Sequence, residues 1–168
     1  AASDVYKRQA IKDALKVMMS GTEDEMIDFI DQFRNKFRSL PPEEISFPRT
    51  VSDVVKYKGR NAIYEKGTPI HARGSLLFNH HVKRLGLEGK YSLIGNGEKV
   101  KFCYLRSPNP IHENVMSFIQ DFPREIGIEK YIDYDLQFEK SFLDPLKIIL
   151  DVIQWNVEKT ASLESFFS

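Results

Sequence analysis

Hydrophobic residues recur at helical spacing most clearly in "TEDEMIDFIDQFRNKFRSL". Phe29, Ile30, Phe33 and Phe37 follow Met26 at 3, 4, 7 and 11 residues, which places all five on one face of a helix. Thr22 and Glu25 form a capping box at its start, and Pro41–Pro42 ends it. Before it, "AIKDALKVMM" reads as a short amphipathic helix stopped by Ser20–Gly21. Residues 43–69 have several breakers and no helical period, so strand and loop are expected. Residues 71–85 regain a helical pattern, with Phe78, Val82 and Leu85 as the apolar stripe and Gly86 just past the end. "KYSLIGNGEKVKFCYL" predicts a hairpin turning at "GNG", and "SPNPIHENVMSFI" a loop running into a weak helix. "DYDLQFEKSFLDPLKIILDVIQW" is helical, with Phe142, Leu146, Ile149, Leu150 and Ile153 on one side. Pro145 either starts a new helix behind an Asp144 cap or kinks a continuous one. The fold class is therefore α+β: several helices packed with a small antiparallel hairpin or sheet, ending in a short polar tail, "EKTASLESFFS".

Composition narrows the class. Apolar residues make up 42% of the chain and twelve are phenylalanine, enough for a buried core. No run approaches the roughly 18 apolar residues of a membrane span, and "AASDVYKRQA" lacks the apolar stretch of a secretory signal. The one cysteine, Cys103, excludes an intrachain disulfide and a cysteine-rich zinc site. It fits a reducing compartment, and "KFCYL" reads as a buried strand. Net charge is zero, yet residues 49–106 hold twelve Lys/Arg against four Asp/Glu. Such segregation turns one face toward a polyanion, or merely leaves a basic solvated surface.

The chemistry-bearing stretch is "GTPIHARGSLLFNHHVKR". As a metal site it is poorly arranged: on a helix His71 and His80 lie about 180° apart and His80 and His81 about 100° apart. Few carboxylates accompany them. Ser75 lacks the G-x-S-x-G elbow and a nearby acid to orient a histidine. Asp133 and Asp135 of "DYD" would share one side of a strand but diverge by about 200° on a helix, where acidic residues favour the dipole. No phosphate-binding glycine loop is present. No catalytic or metal-binding residue is therefore assigned.

Anion binding is better supplied. Backbone amides near His71–Gly74 open a helix, Arg73 can fork onto phosphate oxygens, and Gly74 lets another backbone or a nucleic-acid strand come close. Asn79, His80, Lys83 and Arg84 add donors, and Lys56, Lys58, Arg60, Lys99 and Lys101 add charge. Without interleaved aromatics, this suits the backbone of a duplex better than base readout.

The stretch "VKYKGRNAIYEKGTPIHARGSLLFNHHV" resembles the thumb segment of family B DNA polymerases of T-even-like tailed phages, where a Lys-Tyr pair precedes a His-x-Arg-Gly-x-Leu-x-aromatic-Asn run. Here that run is His71, Arg73, Gly74, Leu76, Phe78 and Asn79. "GEKVKFCYLRSPNP", "DYDLQFEKSFLDPL" and "EKTASLESFF" follow in the family's order, so the resemblance covers residues 11–168. It implies a thumb-like domain over residues 11–158 that grips primer–template duplex through its phosphates. The implied contacts are Lys56, Lys58, Arg60, His71, Arg73, Gly74, Asn79, Lys83, Lys99 and Lys101. It also implies a flexible tail over 159–168 that docks on the ring-shaped sliding clamp through Leu163, Phe166 and Phe167, although Thr160 stands where the wider clamp motif begins with glutamine. The palm's Asp-Thr-Asp and Lys-Lys-Arg-Tyr motifs are absent, so this fragment is expected to be inactive alone, with no cofactor of its own and Mg2+ held in a palm elsewhere in the polymerase chain. The implied setting is the cytoplasm of an infected bacterial host, away from membranes. "DVYKRQ" resembles a translated transposon end from sequencing-library preparation, which marks residues 1–10 as a non-native leader. The alternative is a stand-alone interaction protein with a basic face for an acidic partner.

Overall fold

The computed structural model describes residues 2–157, with side chains from residue 6 onward. In chain order the elements are α1 (Ala2–Ser20), α2 (Glu23–Arg38), α3 (Pro42–Ile45), β1 (Phe47–Thr50), α4 (Ile70–Arg84), β2 (Lys99–Tyr104), β3 (Val115–Phe118), α5 (Tyr134–Phe138) and α6 (Asp144–Val152), with a π-helical turn at Glu139–Leu143 between the last two. The class is α+β, as the sequence predicts. The chain divides into two compact units, one combining residues up to Leu40 with those from Tyr134 onward, the other running from Pro41 to Asp133.

The first unit is helical. α2 begins with the Thr22 half of the expected capping box: its hydroxyl accepts from the Glu25 amide at 3.2 Å and satisfies one otherwise unpartnered N–H of the first turn. Met26, Ile30, Phe33 and Phe37 are buried. Phe33 is the hub: its ring lies 4.6 Å from Phe142, 5.5 Å from Phe138 and 5.5 Å from Tyr6, centroid to centroid. Burying one such side chain contributes about 2–3 kcal/mol.

Two expectations change in this unit. α1 starts at Ala2 rather than at Ala10, because "SDVYKRQ" contains neither glycine nor proline to interrupt it. The carboxyl-terminal helix passes Pro145 without a fresh start: Leu143 and Asp144 have helical dihedrals, so Asp144 is not a cap. The Asp144 amide bonds five residues back, to the Glu139 carbonyl. A wider turn in the residues before a proline relieves the crowding that its ring causes in an ordinary helix. Leu146 and Leu150 are buried, whereas Ile149 and Ile153 from the expected stripe are exposed.

The second unit is a three-stranded antiparallel sheet, order β1-β2-β3, with α4 across one face. Phe47 pairs with Phe102 and Phe102 with Ser117, so these three share a face. Cys103 and Met116 share the other, near α3, where Lys101 Nζ donates to the Glu43 carbonyl at 2.9 Å. Cys103 is fully buried, and burial pushes its thiol up to about 12, so it is an inert packing residue. Pro48 sits on edge strand β1, where a missing N–H is tolerated.

Two sequence expectations fail here. The "GNG" hairpin does not form: β2 pairs with β1 and β3, while residues 90–95 are irregular. Their strand-like pattern is used otherwise. Tyr91 packs edge-on to Phe78, and the Asn79 side chain takes both backbone groups of Ile94, donating to its carbonyl at 2.9 Å and accepting from its amide at 2.7 Å. "VMSF" is not a helix but strand β3, buried along its whole length. A strand buried along its whole length need not alternate apolar with polar positions, and its one polar residue, Ser117, is satisfied by donating to the His71 carbonyl.

Candidate nucleic-acid interface

α4 fixes one wall of an open groove. Leu76, Asn79, His80 and Lys83 recur at 3, 4 and 7 residues and therefore share one helical face. The facing wall is the loop Lys58–Ile63, which closes through a Lys58–Tyr64 antiparallel bridge and a Glu65 amide to Tyr57 carbonyl bond of 2.9 Å. Gly59 makes that loop possible: a Cβ there would lie 2.3 Å from the Ala62 carbonyl oxygen. Val54, Val55, Ile94 and Gly95 add to the lining, and Asn96 Oδ1 accepts from the Val54 amide at 2.5 Å to hold that turn in place.

The groove encloses about 620 Å³. Lys58, Arg60 and Lys83 contribute cations, Asn61, Asn79 and His80 contribute polar groups, and among the described residues no Asp or Glu lines it. A concave surface lined by charges of one sign focuses its field on a counter-ion of the opposite sign. Of the ten residues expected on a DNA backbone, this geometry gathers Lys58, Arg60, Asn79 and Lys83. Asn61 was missed; its signal was its place beside Arg60 in a short donor-rich loop.

The other six lie outside the groove lining. Lys56 is exposed and its ammonium lies 5.4 Å from the Tyr57 ring centroid. Lys99 is exposed at the start of β2, and Lys101 is tied to Glu43 as described. His71 lies in the first turn of α4, about 14 Å of helical rise from His80, with its carbonyl accepting from Ser75 and Ser117 hydroxyls. Burial and then the charge of Arg49 hold its imidazole below the usual range.

Two of these six need correction. Gly74 is buried against β3, where a Cβ would meet Ser117 Oγ at 2.3 Å, so it admits another protein backbone and not a nucleic-acid strand. Arg73 is turned inward: its guanidinium lies 3.9 Å from Glu113 and 5.7 Å from the Tyr64 ring centroid. The Tyr64 hydroxyl donates to the same carboxylate at 2.8 Å, and burial followed by that bond pushes the phenol up. Asn109 places Glu113, since its amide donates to the carbonyls of Arg106 at 2.9 Å and Glu113 at 2.6 Å. Arg73 is thus part of a tie between α4 and the loops on either side.

The remaining motifs separate from the groove. Asp135 Oδ1 accepts from Arg38 at 2.7 and 3.1 Å in the first turn of α5, an ion-pair role at the helix start. Leu163, Phe166 and Phe167 lie outside the described residues. Among the described residues no helix is long and apolar enough to cross a membrane.

Comparison with known proteins adds two relatives. The chain is 26% identical over 164 residues to a DNA-directed DNA polymerase of Enterobacteria phage T4. It is also 26% identical over 165 residues to the DNA-directed DNA polymerase of Escherichia phage RB69. Each match covers 95% of this chain and 18% of the relative, so the chain spans under one fifth of the length of these polymerases. No protein-family model matches it.

Proposed function

We propose that this chain is the thumb portion of a family B phage DNA polymerase, and that the groove beside α4 holds the sugar–phosphate backbone of primer–template duplex. The observation that carries this reading is the convergence of Lys58, Arg60 and Lys83 on one groove with no carboxylate among the described residues of its lining. The similarity to two phage polymerases supports it. Each lysine or arginine that meets a phosphate displaces condensed counter-ions, so binding is driven by salt release and is indifferent to base sequence. Asn79 acts as the anchor of the groove wall through Ile94, and Lys56 and Lys99 extend the positive field without lining the groove. Nucleotidyl transfer, and the Mg2+ that serves it, belong to a palm elsewhere in the polymerase chain. The setting is the cytoplasm of an infected bacterial host.

Fluorescence anisotropy with a labelled primer–template across a salt series tests this. Replacing Lys58, Arg60 and Lys83 together with alanine is expected to reduce the slope of log K against log salt by about 2–3. Affinity at low salt should fall by at least about tenfold for every duplex sequence alike. An unchanged slope in the triple variant would remove the assignment. Equal affinity of the unaltered chain for an acidic peptide would favour the stand-alone interaction protein instead.

For the tail, we propose docking on a sliding clamp through Leu163, Phe166 and Phe167. Deleting residues 162–168 should abolish pull-down by the clamp and leave duplex affinity unchanged. Retained pull-down would dismiss the tail as the docking element.

A further inference from the structure

The groove is larger and more apolar than phosphate contacts require. Beside the cations the lining includes Val55, which is 71% exposed, the half-buried Ile63, and the buried Leu76 and Ile94. Phosphate oxygens need donors on a surface and gain nothing from aliphatic carbon. A concavity of about 620 Å³ with a mainly apolar lining and a few convergent polar groups has the form of a site for a small organic group. Resting on the backbone-binding reading of the same groove, we infer that it takes one unpaired nucleotide of a DNA strand. Its phosphate would meet Lys58, Arg60 and Lys83, and its sugar and base would cover Val55 and Ile63.

Charge complementarity selects the occupant. Among the described residues the lining carries three cations and no carboxylate, so an anionic group enters with the apolar one, and a nucleotide carries both within one unit. Among the described lining residues only His80 carries a ring, and the aliphatic Val55 and Ile63 hold a base by apolar contact without preference among the four bases. The Asn61 amide on the loop adds one donor and acceptor pair that any base edge or sugar oxygen can use. Duplex base pairs keep their faces stacked and cannot lay them on such a surface, whereas a mispaired or frayed end can. The groove would then respond to the state of the primer end as well as to its charge.

The test uses the 168-residue chain and three labelled primer–templates: fully paired, carrying one unpaired nucleotide at the primer 3′ end, and carrying an abasic unit there. The unpaired form is expected to bind about fivefold tighter than the paired form, and the abasic form to lose that gain. Val55→Ser, with folding checked by circular dichroism, should bring the ratio of unpaired to paired affinity to about one. Val55 is exposed, so its replacement spares the core; Ile63→Ser provides the same readout from the other wall. Equal binding of paired and unpaired forms, or an abasic unit binding as tightly as a nucleotide, would overturn the inference and leave backbone binding standing. Failure to bind any of the three would instead remove the backbone-binding reading.

Discussion

Gly74→Ala is expected to destabilise the unit spanning Pro41–Asp133 by about 2–3 kcal/mol, seen as a fall in its melting temperature on the order of 10–15 °C. Two effects oppose each other at this position. Within a helix, alanine is better than glycine by about 1 kcal/mol, so propensity alone predicts a gain. Against it, a Cβ would lie 2.3 Å from Ser117 Oγ and 2.9 Å from the Ser117 amide nitrogen, closer than atoms tolerate. The hydroxyl cannot swing away freely, because it donates to the His71 carbonyl at 3.0 Å. The amide cannot move without carrying β3, which is buried along its length. Overpacking therefore outweighs propensity. Gly89→Ala supplies the contrast, since nothing lies within 4 Å of its added Cβ and its backbone is not left-handed. A double variant with Ser117→Gly should recover only part of the loss, because the backbone contact at 2.9 Å remains. Thermal melts of the three variants decide the point: a Gly74→Ala protein as stable as the parent would show that α4 and β3 can separate at little cost.

Gly74 also shows what the sequence could and could not disclose. Its smallness signals a close approach, but sequence leaves open whether the approaching backbone is protein or nucleic acid. α2 was legible in detail, since the Thr22 cap and the spacing of Met26, Ile30, Phe33 and Phe37 are local features and the structure uses each as written. α4 and the left-handed Gly86 after it were legible for the same reason. Pairing of β2 was not, because its partner β1 stands some fifty residues earlier and no local pattern names it. The "KYSLI" segment has strand-like residues, but Asn79 supplies hydrogen bonds that a neighbouring strand would otherwise give to Ile94.

The groove was half legible. Charge segregation located the basic region, and type and spacing gave Lys58, Arg60 and Lys83. Sequence could not tell a cation that faces solvent from one that faces a carboxylate. Arg73 looks like a phosphate fork until Glu113, forty residues later, is found 3.9 Å from it. The same chain distance conceals the apolar part of the groove. Val55, Ile63, Leu76 and Ile94 come from four separate segments, and only the loop closure at Gly59 and the Asn79 anchor bring them together.

The second large effect expected is a loss of stability in mild acid that traces to one buried histidine. His81 is 7% exposed, its Nδ1 accepts from Arg84 Nε at 3.2 Å, and its Nε2 has no hydrogen-bond partner among the described residues. Burial first, then the nearby His80 and Arg84, push its imidazole down to about 4 from the ordinary 6.5. A proton on Nδ1 would break the bond from Arg84 and set two cations together, so the folded protein keeps His81 neutral. The sign follows from proton counting. Above pH 6.5 neither state is protonated at this residue and its contribution is complete. Between pH 6.5 and about 4 the unfolded chain takes up a proton that the folded one refuses, and stability falls by about 1.4 kcal/mol per pH unit. The total approaches 3 kcal/mol near pH 4, below which this residue adds no further slope. His81→Leu, similar in volume and unable to titrate, should be no less stable than the parent by more than about 1.5 kcal/mol at pH 7.5. It should become the more stable of the two by pH 5. Carboxylates titrate in both proteins, so the difference between their urea midpoints at each pH isolates the histidine. A difference that stays constant from pH 7.5 to 4.5 would show that His81 titrates alike in the folded and unfolded chain.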